Sequence, residues 1–201
     1  TLDGIEYTRF RFAARLVPRK AGTLAVLPAK VVARLKTGIG RDGFGFPVPQ
    51  TSLFSAEDQA RTLEIRALPL ADRPPSFANA VGAAFAIEAH ADRTVVRVGD
   101  PIELDVRIRS PANLNGLILP SLDAPGGLPA DKFAVPEQTP TGELVVDDAN
   151  GNKEKSFHVT VRVRSARVSE IPSLPFSFFN PKTGAYQTVY SQPIALSVKG
   201  S

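Results

Sequence analysis

Residues 157–164 read Phe-His-Val-Thr-Val-Arg-Val-Arg. Apolar side chains take every second position, Phe157, Val159, Val161 and Val163, with His158, Thr160, Arg162 and Arg164 between them. A strand points successive side chains to opposite faces, so this stretch is a half-buried strand with one core face and one wet face. A helix would need apolar spacings of three and four, which are absent.

Working outward, the same period recurs on both sides. Phe85, Ile87 and Ala89 alternate, as do Val96 and Val98, and Ile102, Leu104, Val106 and Ile108. Further strands are expected at LNGLILP from Leu114, FAV from Phe133, ELVV from Glu143, SLPFSFF from Ser173, YQTVY from Tyr186 and PIALSV from Pro193. Gly, Pro, Asn or Asp bound each segment. About eight or nine short strands in about 120 residues is the density of an antiparallel β-sandwich of immunoglobulin-like type. The 18 prolines and 15 glycines of the 201-residue chain also suit short strands and turns better than helices.

The fold class expected is all-β, with tandem immunoglobulin-like domains. LPLADRPPSFANAVG, Leu68 to Gly82, has no periodicity and reads as a junction. The expected division is 1–68, 69–82 as linker, and 83–201 as a complete domain. An internal repeat shapes the reading of the first segment. Sliding the sequence by 147 positions lays Phe10 on Phe157, Phe12 on Val159, Leu24 on Ile171, and Leu27-Pro28 on Leu174-Pro175. Residues 1–68 then read as the C-terminal strands of a first domain that is incomplete here. The first copy is the longer between its Leu-Pro pair and its last strand, and the extra residues, 38–54, are expected on a loop. Arg41, Phe44 and Phe46 would stand at its tip, either as a recognition element or as an aromatic clasp over the sandwich end. SAEDQARTL from Ser55 reads as loop followed by the strand TLEIRA, with a short capped helix as the alternative.

The most aromatic stretch, IPSLPFSFFNPKTGAY from Ile171, follows the same logic. Leu174, Phe176 and Phe178 share one face of a strand, NPKTG supplies a turn, and AYQTVY returns. It reads as a hairpin wall, leaving Phe179 and Tyr186 as candidates for exposed contact.

Chemistry is sparse. With no Cys, Met or Trp, disulfides, thiol chemistry and Cys-ligated metals are excluded, and no cofactor is expected. A chain without methionine lacks an initiating residue and is expected to be a piece of a longer one. No run approaches the ~20 apolar residues of a membrane span. The net charge of +4 is spread among interleaved signs, which argues against nucleic acid. The two histidines, His90 and His158, alternate with core residues and are expected in solvent, without a nucleophile beside them. Asp148, Asn150 and Asn152 have calcium-loop spacing, but Lys153 and Val159 stand where the loop needs glycine and a bidentate Glu. No metal site is expected, and Asn150-Gly151 reads as a hairpin turn. An enzyme would need a cleft with perturbed acids such as Asp100, Asp123 or Asp131; Asp100 reads as a turn residue. Arg107, Arg109, Arg162 and Arg164 give either a sandwich face kept soluble by alternation or a positive face for an acidic partner.

The junction LPLADRPPSFANAVGAAFAIEA, the following VRVGDPIELDVRI, and EIPSLPFSFFNPKTGAYQTVYSQPIALSV resemble the BatD family of bacterial aerotolerance-operon proteins over most of the chain. The resemblance implies an exported protein with tandem immunoglobulin-like periplasmic domains, held to the inner membrane by a segment outside this chain. It implies partners among the von Willebrand factor A membrane proteins of the same operon, a link to oxidative or envelope stress, and no catalytic residues. A non-enzymatic interaction or scaffold region is therefore expected. The alternative is a β-sandwich module binding envelope polysaccharide, for which Tyr7, Tyr186 and Tyr190 are the only phenols.

Overall fold

The computed structural model describes residues 11–14, 16–147 and 151–200. Every regular element among them is a β-strand. The chain divides into two compact units, Thr1–Leu68 and Pro69–Ser201.

The first unit contains β1 (Gly22–Val26), β2 (Lys30–Arg41), β3 (Pro47–Glu57) and β4 (Arg61–Ile65). β2 and β3 pair antiparallel from Lys30 opposite Glu57 to Arg41 opposite Pro47, with a bulge between Lys36 and Gly38. β1 and β4 continue the pairing from Val26 opposite Arg61 to Gly22 opposite Ile65. The Asp58 N–H bonds the Ala29 carbonyl at 2.9 Å across the gap between the two ladders, so the four strands form one long two-stranded ribbon. No described residue of this unit is buried.

Residues 38–54 are therefore not a loop. They are the far arms of the β2–β3 hairpin, and only Asp42–Phe46 turns. Pro47 and Pro49 obscured this, because proline usually argues against a strand. Both stand at positions where a strand tolerates it. The Asp42 N–H bonds the Phe46 carbonyl at 2.9 Å, so the alternation of an antiparallel ladder puts Pro47 and Pro49 in non-hydrogen-bonded pairs whose nitrogens point away from β2. Ser55–Glu57 belongs to β3, so the helix alternative does not hold.

The second unit runs through β5 (Phe77–Val81), β6 (Ala86–Ala91), β7 (Val95–Arg97), β8 (Pro101–Ser110), β9 (Phe133–Ala134), β10 (Glu143–Asp147), β11 (Lys153–Val163), β12 (Glu170–Ile171), β13 (Pro175–Asn180), β14 (Ala185–Tyr190), β15 (Ile194–Ala195) and β16 (Ser197–Lys199). One sheet has the order β10-β11-β8-β6, with β9 on the end of β11. Opposite it lie β14-β13-β5 and the short pairs β12-β15 and β16-β7. The two layers share one core: Leu104, Val106, Ile108, Phe157, Val159 and Val161 from the first meet Phe176 and Phe178 from the second. Phe85 bridges them, its ring centroid 5.6 Å from that of Phe176 and 4.8 Å from that of Phe178. Each of these side chains stabilises the sandwich by roughly 1.5–3 kcal/mol through burial.

Two expectations change here. The stretch 69–82, read as linker, contains β5, which runs parallel to β13 with Phe77 opposite Ser177 and Val81 opposite Phe179. Its buried residues are only Ala78 and Ala80, and Asn79 has φ 62°, so the run lacks the bulky alternation that announces a strand. LNGLILP, read as a strand, is an irregular segment whose Leu114, Leu117 and Leu119 are all buried.

The repeat extends to pairing. Leu24 faces Leu63 in the β1–β4 pair, and its counterpart Ile171 faces Ile194 in β12–β15. Inside each pair lies a hairpin, β2–β3 or β13–β14. The β13–β14 hairpin turns at Pro181–Gly184, whereas β2 continues past its own Lys36-Thr37-Gly38 to Arg41. The extra residues lengthen both arms.

Candidate functional site

The tip of the ribbon is built by Asp42. Its Oδ1 accepts the N–H groups of Phe44 at 3.0 Å and Phe46 at 2.9 Å, and its carbonyl accepts the Gly45 N–H at 3.0 Å. Gly45 has φ +83°, a conformation side chains rarely adopt. Arg41 closes the turn from the strand side, its guanidinium donating to the Gly45 carbonyl at 3.2 Å. The braced turn holds Phe44 90% and Phe46 66% exposed. Arg41, Phe44 and Phe46 are thus brought together, with two aromatic rings displayed on a turn held by the Asp42 carboxylate, the Asp42 main chain and the Arg41 guanidinium.

Phe179 and Tyr186 are brought together elsewhere, in the second unit, and both are half-buried. Their rings meet edge to face with centroids 5.2 Å apart, and Phe77 meets Tyr186 likewise at 5.1 Å. The Tyr186 hydroxyl donates to the Pro69 carbonyl at 2.6 Å and accepts from Arg73 Nε at 3.0 Å. The Arg73 guanidinium lies 5.3 Å from the centroid of the Phe77 ring. This cluster fastens the start of the second unit to β13 and β14, and its polar tips are already engaged.

The outer face of the large sheet carries the alternating polar residues in rows across β6, β8 and β11. His90, Asp105 and His158 form one row, and Glu88, Arg107 and Ser156 the next. Arg107 holds one oxygen of Asp105 with Nε at 2.7 Å and Nη2 at 2.6 Å, and the Ser156 hydroxyl donates to the other. Arg109 donates to Glu154 and, at 3.1 Å, to Glu88. Burial tends to raise the Asp105 pKa, but the Ser156 and Arg107 hydrogen bonds outweigh it and hold the carboxyl below its ordinary value. Glu154 raises the pKa of Arg109. The face forms an open depression of about 960 Å³ in which each arginine is matched by carboxylates, so charge is compensated rather than uniformly positive. His90 and His158 are both exposed, His158 Nδ1 lying 3.9 Å from Asp105 and His90 Nε2 3.6 Å from Glu88.

Sequence reasoning missed Lys155. It shares the core-facing parity of Phe157, and its ammonium is turned inward to the carbonyls of Leu114 and Asn115 at 3.2 Å and Leu117 at 2.9 Å. Burial lowers its pKa. A charged residue in phase with an apolar strand face was the only available signal.

The carboxylates weighed for catalysis are scattered. Asp100 accepts the Arg97 N–H at 2.9 Å in the turn before β8, and Asp123 accepts the Ser121 hydroxyl. No group of three or more His, Asp or Glu residues among the described residues is arranged to hold a metal ion. Asp148 and Asn150 of the calcium-like spacing lie outside the described residues. No helix among the described residues is long and apolar enough to cross a membrane. No family model, curated protein or solved structure matches the chain.

Proposed function

We propose that this chain is a non-enzymatic interaction region of a BatD-like, membrane-anchored periplasmic protein, and that it holds partner proteins of the bacterial envelope. The observation that carries the reading is the Asp42-braced tip. Two large aromatic side chains are displayed to solvent on a turn whose backbone is already braced by the Asp42 carboxylate and main chain, so docking them incurs little backbone ordering cost. Aromatic anchors of this kind dominate the energetics of many protein interfaces. The order β6-β8-β11-β10 corresponds to the A-B-E-D sheet of an immunoglobulin domain, which supports the immunoglobulin-like reading of the second unit. The resemblance supplies the partner class, von Willebrand factor A membrane proteins, and the link to aerotolerance.

The test is direct binding of a purified von Willebrand factor A domain from the same operon to the wild-type chain and to a Phe44→Ser/Phe46→Ser variant. Binding that weakens at least tenfold in the variant, about 1.4 kcal/mol, supports the reading. Equal binding by both removes the tip from it. Binding of envelope glycan in place of protein favours the polysaccharide alternative.

A further inference from the structure

The two edges of the ribbon differ. At one end the Asp42 N–H bonds the Phe46 carbonyl, and at the other the Asp58 N–H bonds the Ala29 carbonyl, both at 2.9 Å. With the single bulge at Lys36/Gly38, these anchors fix the phase of the whole ladder. Lys30, Val32, Arg34, Lys36, Ile39 and Arg41 then have their main-chain N–H and C=O groups directed away from β3. Pro47 and Pro49 stand at the outward positions of β3, so that edge lacks two of its donors near the tip. The β2 edge contains no proline, and among the described residues β2 pairs with β3 alone.

The side chains at those outward positions share one face of β2, and four of the six are basic: Lys30, Arg34, Lys36 and Arg41. All of them are exposed, as are Val32 and Ile39 between them. Among the described residues, the only hydrogen bond or ion pair made by the four basic side chains is that of Arg41 to Gly45. Their acidic neighbours are few: across the ladder only Glu57 faces this row, opposite Lys30, and Ser55, Leu53, Thr51, Pro49 and Pro47 follow it. An unpaired strand edge with a uniform charge on one face is a template for an added strand of opposite charge.

We infer that the outer edge of β2 binds an extended acidic segment of another protein by strand addition, with carboxylates of that segment opposite Lys30, Arg34, Lys36 and Arg41. The inference deepens the interaction reading by naming a second contact and its chemistry, and it does not depend on the Phe44/Phe46 tip. Main-chain hydrogen bonds supply attachment, and the basic row selects acidic sequences.

The probe is the fluorescent peptide Glu-Thr-Glu-Thr-Glu-Thr-Glu, titrated by anisotropy against the whole 201-residue chain. Expected are saturable binding that weakens with added salt, and no binding of the Lys-Thr counterpart. Val32→Pro removes one outward N–H while leaving the β2–β3 ladder its bonds, and weakens binding about tenfold, the worth of a charge-independent main-chain contact. Where Val32→Pro also disturbs the ribbon, the wild-type chain with a peptide N-methylated at alternate residues decides the matter, since it keeps every carboxylate and loses the donors. The inference is overturned by any of three results: no binding of the acidic peptide, equal binding of the N-methylated peptide, or self-association of the chain that Val32→Pro abolishes, which would make a second copy the occupant. Loss of von Willebrand factor A domain binding in the Phe44→Ser/Phe46→Ser variant, with the acidic peptide still bound, separates the tip from the edge and leaves the inference standing.

Discussion

The Tyr186 hydroxyl reaches across 117 positions of sequence to donate to the Pro69 carbonyl at 2.6 Å. The same oxygen accepts from Arg73, whose guanidinium also donates to the Pro69 carbonyl at 3.3 Å. These bonds form a closed triangle around the start of the second unit. Tyr186→Phe keeps the ring against Phe77 and Phe179 and removes only the oxygen. It is expected to lower stability by about 1 kcal/mol, as for one or two partly exposed hydrogen bonds, and to speed hydrogen exchange of the Phe77 amide, which bonds the Pro74 carbonyl at 3.0 Å. An unchanged exchange rate would show that the triangle does not restrain the segment.

Lys155 fills a different role, that of an internal cation for a loop. Three carbonyls converge on its ammonium, and no strand holds the Leu114–Leu117 segment in place. Lys155→Met preserves the packing of the aliphatic stem and leaves the three carbonyls without their donor. Urea denaturation is expected to show a loss of about 2–4 kcal/mol, because buried acceptors stripped of a charged partner cost more than the bond itself contributes. A loss below about 0.5 kcal/mol would mean that water replaces the ammonium at the carbonyls.

What was legible in the sequence followed from period-2 alternation of large residues. Ile102 to Ile108 and Phe157 to Val163 pack as strands whose alternate residues are fully buried, and the Leu174, Phe176 and Phe178 face forms the opposing wall. Alternation failed where a residue's meaning depends on its neighbours across the sheet. Phe77–Val81 buries only the small side chains of Ala78 and Ala80 and is held by its pairing with β13, and Leu114–Leu119 is apolar without being extended. Prolines at 47 and 49 are acceptable only because their nitrogens face outward, a phase that pairing sets and local composition does not. Arg41, Phe44 and Phe46 could be picked out as a set, but the Asp42 brace that organises them involves contacts over two and four residues that carry no periodic signal. Tyr186 could be picked out as aromatic, whereas the engagement of its hydroxyl by a residue in the junction could not.

Asp105 gives the fold a defined acid sensitivity. Its carboxyl is held below the ordinary value of 3.8 in the folded chain, so the folded state favours the ionised form more than the unfolded state does. Its contribution is therefore present in full above the ordinary carboxylate range and is lost as pH falls through the depressed folded-state value. Asp105→Asn is expected to reduce stability at neutral pH and to flatten the acid limb of a stability curve recorded from pH 7 to pH 2.5. If the acid limbs of the two proteins superimpose, the carboxyl does not have the depressed pKa that Arg107 and Ser156 give it.

The two units should differ sharply in hydrogen exchange. β8 and β11 lie in the middle of a sheet and bury one whole face, so their amides exchange only through large-scale unfolding. β2 and β3 have their ladder and no buried side chain, and an isolated two-stranded ribbon is marginal in water. Amides of Val106, Ile108 and Val159 are expected to be protected by several orders of magnitude more than those of Val31, Ala33 and Leu35, although both sets face a partner strand. The outward amides of Val32, Arg34 and Lys36 should exchange faster still, since they lack even the ladder. That internal contrast within β2 is the sharper check, because it reads the phase of the strand residue by residue. If Val32 and Arg34 are as slow as Val31 and Ala33, their amides are already occupied and the β2 edge is not open. If odd and even positions differ as expected, saturating the chain with the acidic peptide should slow Val32, Arg34 and Lys36 selectively and leave Val31, Ala33 and Leu35 little changed.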